Sequence, residues 1–307
     1  MNGCVTTIGF FDGVHHGHQF VVGCVVAEAR RRGLEAVVIT FDRSPKEVVS
    51  GEKTKTEFLT TRADTVKLIL AAGADRCEVL RFDGALAALS VADFMRSILK
   101  EGLNVQVLVL GYDNRFGHRD GRREERFEDY VRYGREVGIE VVRLSKLTAN
   151  YFHTETGSPC SSSAIRKALR EGDVDTATRL LGRPYSITGT VVHGRGEGRR
   201  LGFPTANLSP DSVETLLPAC GVYAVKVSVG EMETSFRGMM NIGTRPTFND
   251  GGALSLEVHM FDFDSNLYGR RLTVTFIRRI RAERTFDSPE ALQRQLEQDK
   301  KEVNHEK

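Results

Sequence analysis

Between residues 4 and 144 the sequence alternates short β-branched runs with longer helical stretches, and beyond residue 184 the alternation stops. No other feature constrains the fold as strongly, because strands separated by helices form a parallel sheet with crossover helices. The runs are Val5–Phe11, Ala36–Phe41, Val79–Phe82, Val105–Leu110 and Ile139–Leu144. Val105–Leu110 is apolar almost throughout, as expected for a strand buried on both faces. Gly17–Arg32, Thr61–Ala72, Ala92–Lys100 and Arg126–Val137 read as the intervening helices. Ser161-Ser162-Ser163 offers hydroxyls to cap a further helix over Ala164–Arg170.

After Leu181-Gly182-Arg183-Pro184 the pattern becomes one of strands alone: Ile187–His193, Val222–Val229, Thr234–Asn241, Leu254–Phe263 and Leu272–Arg278. Short strands at this spacing, several alternating in and out, predict an antiparallel β-barrel. A closing helix is expected from Ser288 as N-cap and Pro289 at the first helical position, with Leu292 and Leu296 on one face. The division near residue 184 gives an α/β domain over 1–183 and a β domain over 184–307. Two domains agree with a prior of one per about 150 residues.

Composition excludes more than it selects. The formal net charge of +2 gives no reason to expect nucleic-acid binding across the surface. Five cysteines, at 4, 24, 77, 160 and 220, form no zinc or redox pair and read as reduced thiols. No leader pattern opens the chain and no apolar run approaches the ~20 residues of a membrane span. A soluble, cytoplasmic protein without a membrane partner is the expectation. Glycine is the outlier, at 30 of 307 residues, and its location matters.

One cluster is Gly9-Phe10-Phe11-Asp12-Gly13-Val14-His15-His16-Gly17-His18, between the first strand and the first helix. Backbone amides and the helix dipole favour an anion there. Gly13 and Gly17 allow phosphates close to the backbone. His15 and His18, three residues apart, can both face one ligand and donate to phosphate oxygens. A metal pair or plain surface histidines is the alternative reading of the two side chains.

A second cluster runs from Gly194-Arg195-Gly196-Glu197-Gly198-Arg199-Arg200 through Leu201-Gly202-Phe203-Pro204-Thr205-Ala206-Asn207. It lacks the lysine ending of a P-loop, and the chain has no kinase HRD or DFG set. Glycines with arginines can still wrap phosphates, and Thr205 and Asn207 present hard oxygen ligands suited to Mg²⁺. A flexible basic hairpin loop is the bland alternative. Glu257 is the only acidic residue in Ala253–Met260. It is either a proton acceptor for a hydroxyl nucleophile or an outward strand glutamate. His259 shares its side-chain parity and has no assigned role.

The first cluster resembles the HIGH-type nucleotidyltransferases. Among them it is most similar to the N-terminal module of bacterial bifunctional riboflavin kinase/FAD synthetases. Leu110-Gly111-Tyr112-Asp113-Asn114-Arg115-Phe116-Gly117 looks like that family's LGxDFRFG motif, and Ser161-Ser162-Ser163-Ala164-Ile165-Arg166 like its SSTxIR motif. GRxLGFPTAN resembles the riboflavin kinase signature. That match continues through Gly221-Val222-Tyr223, Gly238–Phe248, Leu256–Phe263 and Arg281–Phe286.

The resemblance implies a Rossmann-like domain that adenylylates FMN to FAD, and a barrel that phosphorylates riboflavin with ATP and Mg²⁺. It implies that His15 and His18, with Gly13 and Gly17, contact ATP phosphates, and that Ser162, Ser163 and Arg166 hold the triphosphate. Asp113 and Phe116 would line the flavin or nucleotide pocket. Gly196, Gly198, Arg199, Gly202, Thr205 and Asn207 would bind ATP in the kinase, the last two through Mg²⁺, with Glu257 catalytic.

Two positions depart from the family. Ser44 stands where a histidine is usual in a TFxPHP-like segment, with Arg43 and Lys46 as the neighbouring cations. Cys160 replaces an aliphatic residue. Ser44 motivates a rival reading, a riboflavin kinase whose first domain binds nucleotide without turnover. A second rival, a non-catalytic flavin or RNA binder, rests on the barrel and on arginines 278, 279, 281 and 284.

Overall fold

A computed structural model describes residues 3–50, 57–111, 116–117, 126–144, 160–194, 196–230, 232, 234–245 and 253–304. The chain divides into two compact units, one of Met1–Thr56 with Thr60–Ser161, the other of Glu57–Leu59 with Ser162–Lys307.

In the first unit, β1 (Cys4–Ile8), β2 (Glu35–Phe41), β3 (Arg76–Leu80), β4 (Val105–Leu110) and β5 (Glu140–Arg143) form a five-stranded sheet. Every pairing is parallel and the order is β3-β2-β1-β4-β5. α1 (His16–Arg32), α2 (Pro45–Ser50), α3 (Arg62–Ala71), α4 (Gly84–Ala87), α5 (Val91–Asp93, continued as a π-helix over Phe94–Gly102) and α6 (Phe127–Val137) connect the strands.

The two-residue period of a strand sends side chains to both faces of this sheet. Cys4, Ile8, Val37, Ile39, Leu108 and Leu110 pack on one side with Phe94, Met95 and Tyr130. Val5, Ala36, Val107 and Val109 pack on the other with Val25 and Ala29 of α1. Burial on both faces is why these strands are apolar runs. Strand order reverses between β1 and β4. In open α/β sheets the crevice beyond the carboxyl ends of two such strands is where ligands bind.

In the first sheet two strand limits differ by three residues from those the sequence predicts. β1 stops at Ile8 rather than at residue 11, because Phe11 takes φ 46° and the chain turns. β3 starts three residues earlier than expected, at Arg76, whose guanidinium pairs with Glu35 on β2 and with Glu78.

In the second unit, α7 (Ser162–Glu171) and α8 (Val174–Leu181) precede six strands. They are β6 (Ser186–Val192), β7 (Ala206–Leu208), β8 (Gly221–Val229), β9 (Ser235–Arg245), β10 (Ala253–Met260) and β11 (Arg271–Arg281). They close into a barrel in the order β10-β7-β6-β11-β8-β9, antiparallel throughout. β10 ends at Met260, short of residue 263, where Asp262 turns the chain with φ 54°.

Both α7 and α8 group with the barrel although the strand pattern begins only after them. Arg279 of β11 explains part of this. Its guanidinium donates to the Glu171 carbonyl at the end of α7 and to the Cys220 carbonyl at 2.6 Å.

α9 (Glu197–Arg200) is a single turn, and α10 (Pro289–Asn304) closes the fold. The Ser288 hydroxyl accepts the Ala291 amide at 3.2 Å, the expected cap of α10. Leu296 and Val303 of α10 pack on Phe203, Val222, Ala224, Met239 and Phe261. Beneath them Arg281 donates two bonds to the Asp299 carboxylate, at 2.9 and 3.2 Å, with Asp299 1% exposed.

Candidate functional sites

The turn after β1 is built against steric preference. Phe11 and Val14 both have positive φ, 46° and 38°, and are buried. A β-branched residue in that region is a strained conformation, which persists only where its surroundings impose it. The imposing bonds are Val14 N–H to Phe11 O at 3.0 Å and Gln19 Nε2 to Val14 O at 2.9 Å. Thr60 clamps the turn from outside. Its amide donates to Asp12 Oδ1 at 3.3 Å, and its hydroxyl accepts the Gly13 amide at 3.1 Å.

His15 is the N-cap of α1, and its Nδ1 accepts the His18 amide at 3.4 Å. The ring proton therefore sits on Nε2. The His15 and His18 rings stack at 3.7 Å with an interplanar angle of 18°. Stacked rings do not aim two lone pairs at one metal ion. Among the described residues no group of three His, Cys, Asp or Glu side chains gathers to hold one. The geometry favours two imidazoles beside the amides of a helix start, an arrangement for an anion.

The Cys160 thiol lies 3.6 Å from His15 Nδ1, and burial pushes its pKa up. It is a capping neighbour, not a thiolate. His18 Nδ1 is buried without a hydrogen-bond partner among the described residues. Burial first, then the charge of His15, hold the His18 imidazole well below its ordinary value of 6.5.

The consequence for pH follows from linkage. The folded chain binds this proton less readily than the unfolded chain, so the contribution to stability is complete above about pH 6.5 and is lost as pH falls below it. Unfolding free energies measured between pH 8 and pH 5 should therefore fall more steeply for the wild type than for His18→Asn. Parallel curves would refute this.

Gly13 and Gly17 stand with the two histidines, as the sequence suggests. Ser162, Ser163 and Arg166 lie on α7 in the second unit, where Arg166 Nε donates to the Glu57 carbonyl at 2.8 Å. Phe116 packs between Phe94 and Tyr130, at ring distances of 5.2 and 5.1 Å. Asp113 and Arg195 fall outside the described residues. Ser44 is buried and its carbonyl accepts the Glu47 amide in α2. Arg43 pairs with Asp42 at 3.2 Å.

The second site lies across β7, β10 and β9. Register places Asn207 opposite Glu257, and Glu257 opposite Asn241. Directly paired residues share a face, so these three polar side chains form one row. The barrel interior takes the other parity, with Leu256 and Val258 at or below 1% exposure.

The Glu257 carboxylate accepts the Ser255 hydroxyl at 2.9 Å and the Thr205 hydroxyl at 3.5 Å. Gly194 lies so close to the Asn207 amide group that any Cβ there would collide with it. The segment before Thr205 is less open than a hairpin loop. Gly196 starts the single turn α9 with φ 70°, Phe203 N–H returns to Gly198 O at 2.8 Å, and Arg199 is exposed beside them. Thr205 and Asn207 present side-chain oxygens beside the Glu257 carboxylate, and hard oxygen donors of this kind fit Mg²⁺.

His259, two residues along β10, is buried and donates from Nδ1 to the Pro204 carbonyl at 2.8 Å. Burial lowers the pKa of its imidazole. Spacing singles out neither Ser255 nor Thr60, because each meets its partner through a fold contact.

The arginines that suggested a nucleic-acid surface are engaged internally. Arg278 donates to Glu302 at 2.8 Å, Arg279 to two carbonyls, Arg281 to Asp299 and Arg284 to Gln295 at 3.4 Å.

Comparison with known proteins matches both halves. A FAD synthetase family model covers residues 1–156 and a riboflavin kinase model covers residues 181–306. The bifunctional riboflavin kinase/FMN adenylyltransferase of Bacillus subtilis is 38% identical over 302 residues, spanning 97% of this chain and 91% of the relative. That of Escherichia coli K12 is 38% identical over 297 residues, spanning 97% and 90%. A Streptococcus pneumoniae crystal structure described as a macrolide-efflux protein superposes with TM-score 0.87 at 31% identity, covering 100% of this chain and 95% of that one. Among the described residues no helix is long and apolar enough to cross a membrane. With one family model on each half and relatives that match along nearly its whole length, the chain belongs to the bifunctional riboflavin kinase/FMN adenylyltransferase family.

Proposed function

We propose that the chain makes FAD from riboflavin in two ATP-dependent steps. Riboflavin is first phosphorylated to FMN, and FMN is then adenylylated to FAD with release of pyrophosphate. The observation that carries the first step is the Thr205–Glu257 contact at 3.5 Å, with Asn207 in the same row.

In that step the riboflavin 5′-hydroxyl attacks the γ-phosphorus of ATP. Its proton passes to the Glu257 carboxylate and ADP leaves. Thr205 and Asn207 would hold Mg²⁺ with the phosphates, and the ion supplies neutralisation of developing charge. Gly196, Gly198, Arg199 and Gly202 are assigned to the ATP phosphates on the motif they form.

In the second step a phosphate oxygen of FMN attacks the α-phosphorus of ATP. No covalent enzyme intermediate is needed, so orientation and charge neutralisation carry the rate. His15 Nε2–H and His18, with the amides around Gly13 and Gly17, are assigned to the ATP phosphates. Ser162, Ser163 and Arg166 are assigned to the triphosphate, and Asp113 and Phe116 to the flavin pocket, on their motifs. Adenylyl transfer is assigned to residues 1–183, the kinase to 184–307, and the site of action to the cytoplasm.

Incubation with riboflavin, ATP and Mg²⁺, followed by chromatographic separation of FMN from FAD, tests the scheme. Wild type should yield both flavins. His18→Asn should slow FAD formation from supplied FMN about 100-fold, the scale of one lost transition-state donor, and leave FMN formation intact. A wild type that accumulates FMN and makes no FAD would establish the kinase-only rival, in which Ser44 marks an inactive first domain.

A further inference from the structure

His259 has no part in the scheme above, yet it is placed as if it had one. On β10 it follows Glu257 by one pleat and faces the same side. Its ring meets Phe203 edge-on at 5.2 Å and Phe261 at 5.4 Å, both members of the cluster under α10. A carbonyl only accepts, so the 2.8 Å bond to Pro204 O requires the proton on Nδ1. Nε2 is then a bare acceptor, buried and without a partner among the described residues. The ring therefore makes one directed polar contact, and that contact is with the residue immediately before Thr205.

We propose that His259 is a positioning residue for phosphoryl transfer, holding the Pro204–Thr205 peptide so that the Thr205 hydroxyl stays beside Glu257. The chain at Thr205 is gripped from two points of one strand, the preceding carbonyl by His259 and the side chain by Glu257. Pro204 has no amide hydrogen, so its own main chain offers only this carbonyl for a hydrogen bond. The inference rests on the assignment of Thr205 and Glu257 to the kinase site.

Two substitutions separate the directed bond from packing. In His259→Asn the amide nitrogen falls near the position of Nδ1 and keeps a donor for Pro204. In His259→Gln the amide falls near Nε2, and the Pro204 carbonyl loses its donor. Steady-state phosphorylation of riboflavin by the full chain should show KM for MgATP raised about tenfold in His259→Gln, the upper end for one net hydrogen bond. His259→Asn should stay within about threefold of wild type, and kcat should change less than KM in both. A purely structural role would lower kcat through the folded fraction, and the Asn variant would not rescue it.

Wild-type KM in His259→Gln, or equal impairment in both variants, overturns the inference. If His259→Gln does not fold, a tenfold KM increase in folded His259→Asn overturns it alone. Undiminished phosphorylation by Glu257→Gln would instead overturn the site assignment. An inactive Glu257→Gln beside a wild-type-like His259→Gln overturns the positioning role only.

Discussion

Glu257→Gln is expected to lower kcat for riboflavin phosphorylation by about 10² to 10⁴, the range for removal of a positioned general base. The substitution conserves volume and leaves the carbonyl oxygen of the amide to accept one of the two hydroxyls that Ser255 and Thr205 now direct at the carboxylate. KM for MgATP should change little, because Thr205 and Asn207 remain. That pairing, lower kcat with unchanged KM, marks an interaction made in the transition state. Adenylylation of supplied FMN should proceed at the wild-type rate in the same preparation. A kcat within tenfold of wild type would exclude Glu257 as the base.

The second large effect is on stability. Asp299→Ala should destabilise the second unit by about 3–5 kcal/mol, because it leaves the Arg281 guanidinium buried without its counter-charge. Arg281 and Asp299 are 10% and 1% exposed, and Gln295 gives the carboxylate a further bond at 2.8 Å. The pair joins β11 to α10, so its loss also loosens Leu296 and Val303 from Phe203 and Phe261. Denaturant unfolding reads the change. The double variant Arg281→Met with Asp299→Leu should recover most of the loss, since replacing a whole buried pair by apolar groups is often neutral. Equal losses in the single and double variants would show that the helix, not the charge, matters.

Much of this is legible in the sequence. β4 has the limits its apolar run predicts, because burial on both faces leaves an uninterrupted signal. β7 was invisible, since three residues are too few to show alternation. α8 carried readable signals, Asp173 as side-chain cap and Gly182 in the left-handed conformation after it, but its eight residues were masked by the change of pattern that follows. In the sites, motif residues were local and could be found. Their partners were not. Thr205 meets Glu257 across 52 residues and Gly13 meets Thr60 across 47, contacts set by register and loop path. The strain at Phe11 and Val14 was likewise hidden, because nothing in a phenylalanine or a valine announces a positive φ.

The two units also differ in their exposure to unwanted strand pairing. The first sheet has two edges, and its edge strands carry charge, Arg76 and Glu78 on β3 and Glu140 and Arg143 on β5. Charged edges discourage another chain from adding a strand. The barrel has no edge to protect while it is closed. Its closure between β6 and β10 is made by β7 alone, with three residues. The segment that carries Asn207 is thus also what denies the barrel an edge, and self-association is guarded at the place where nucleotide is assigned to bind.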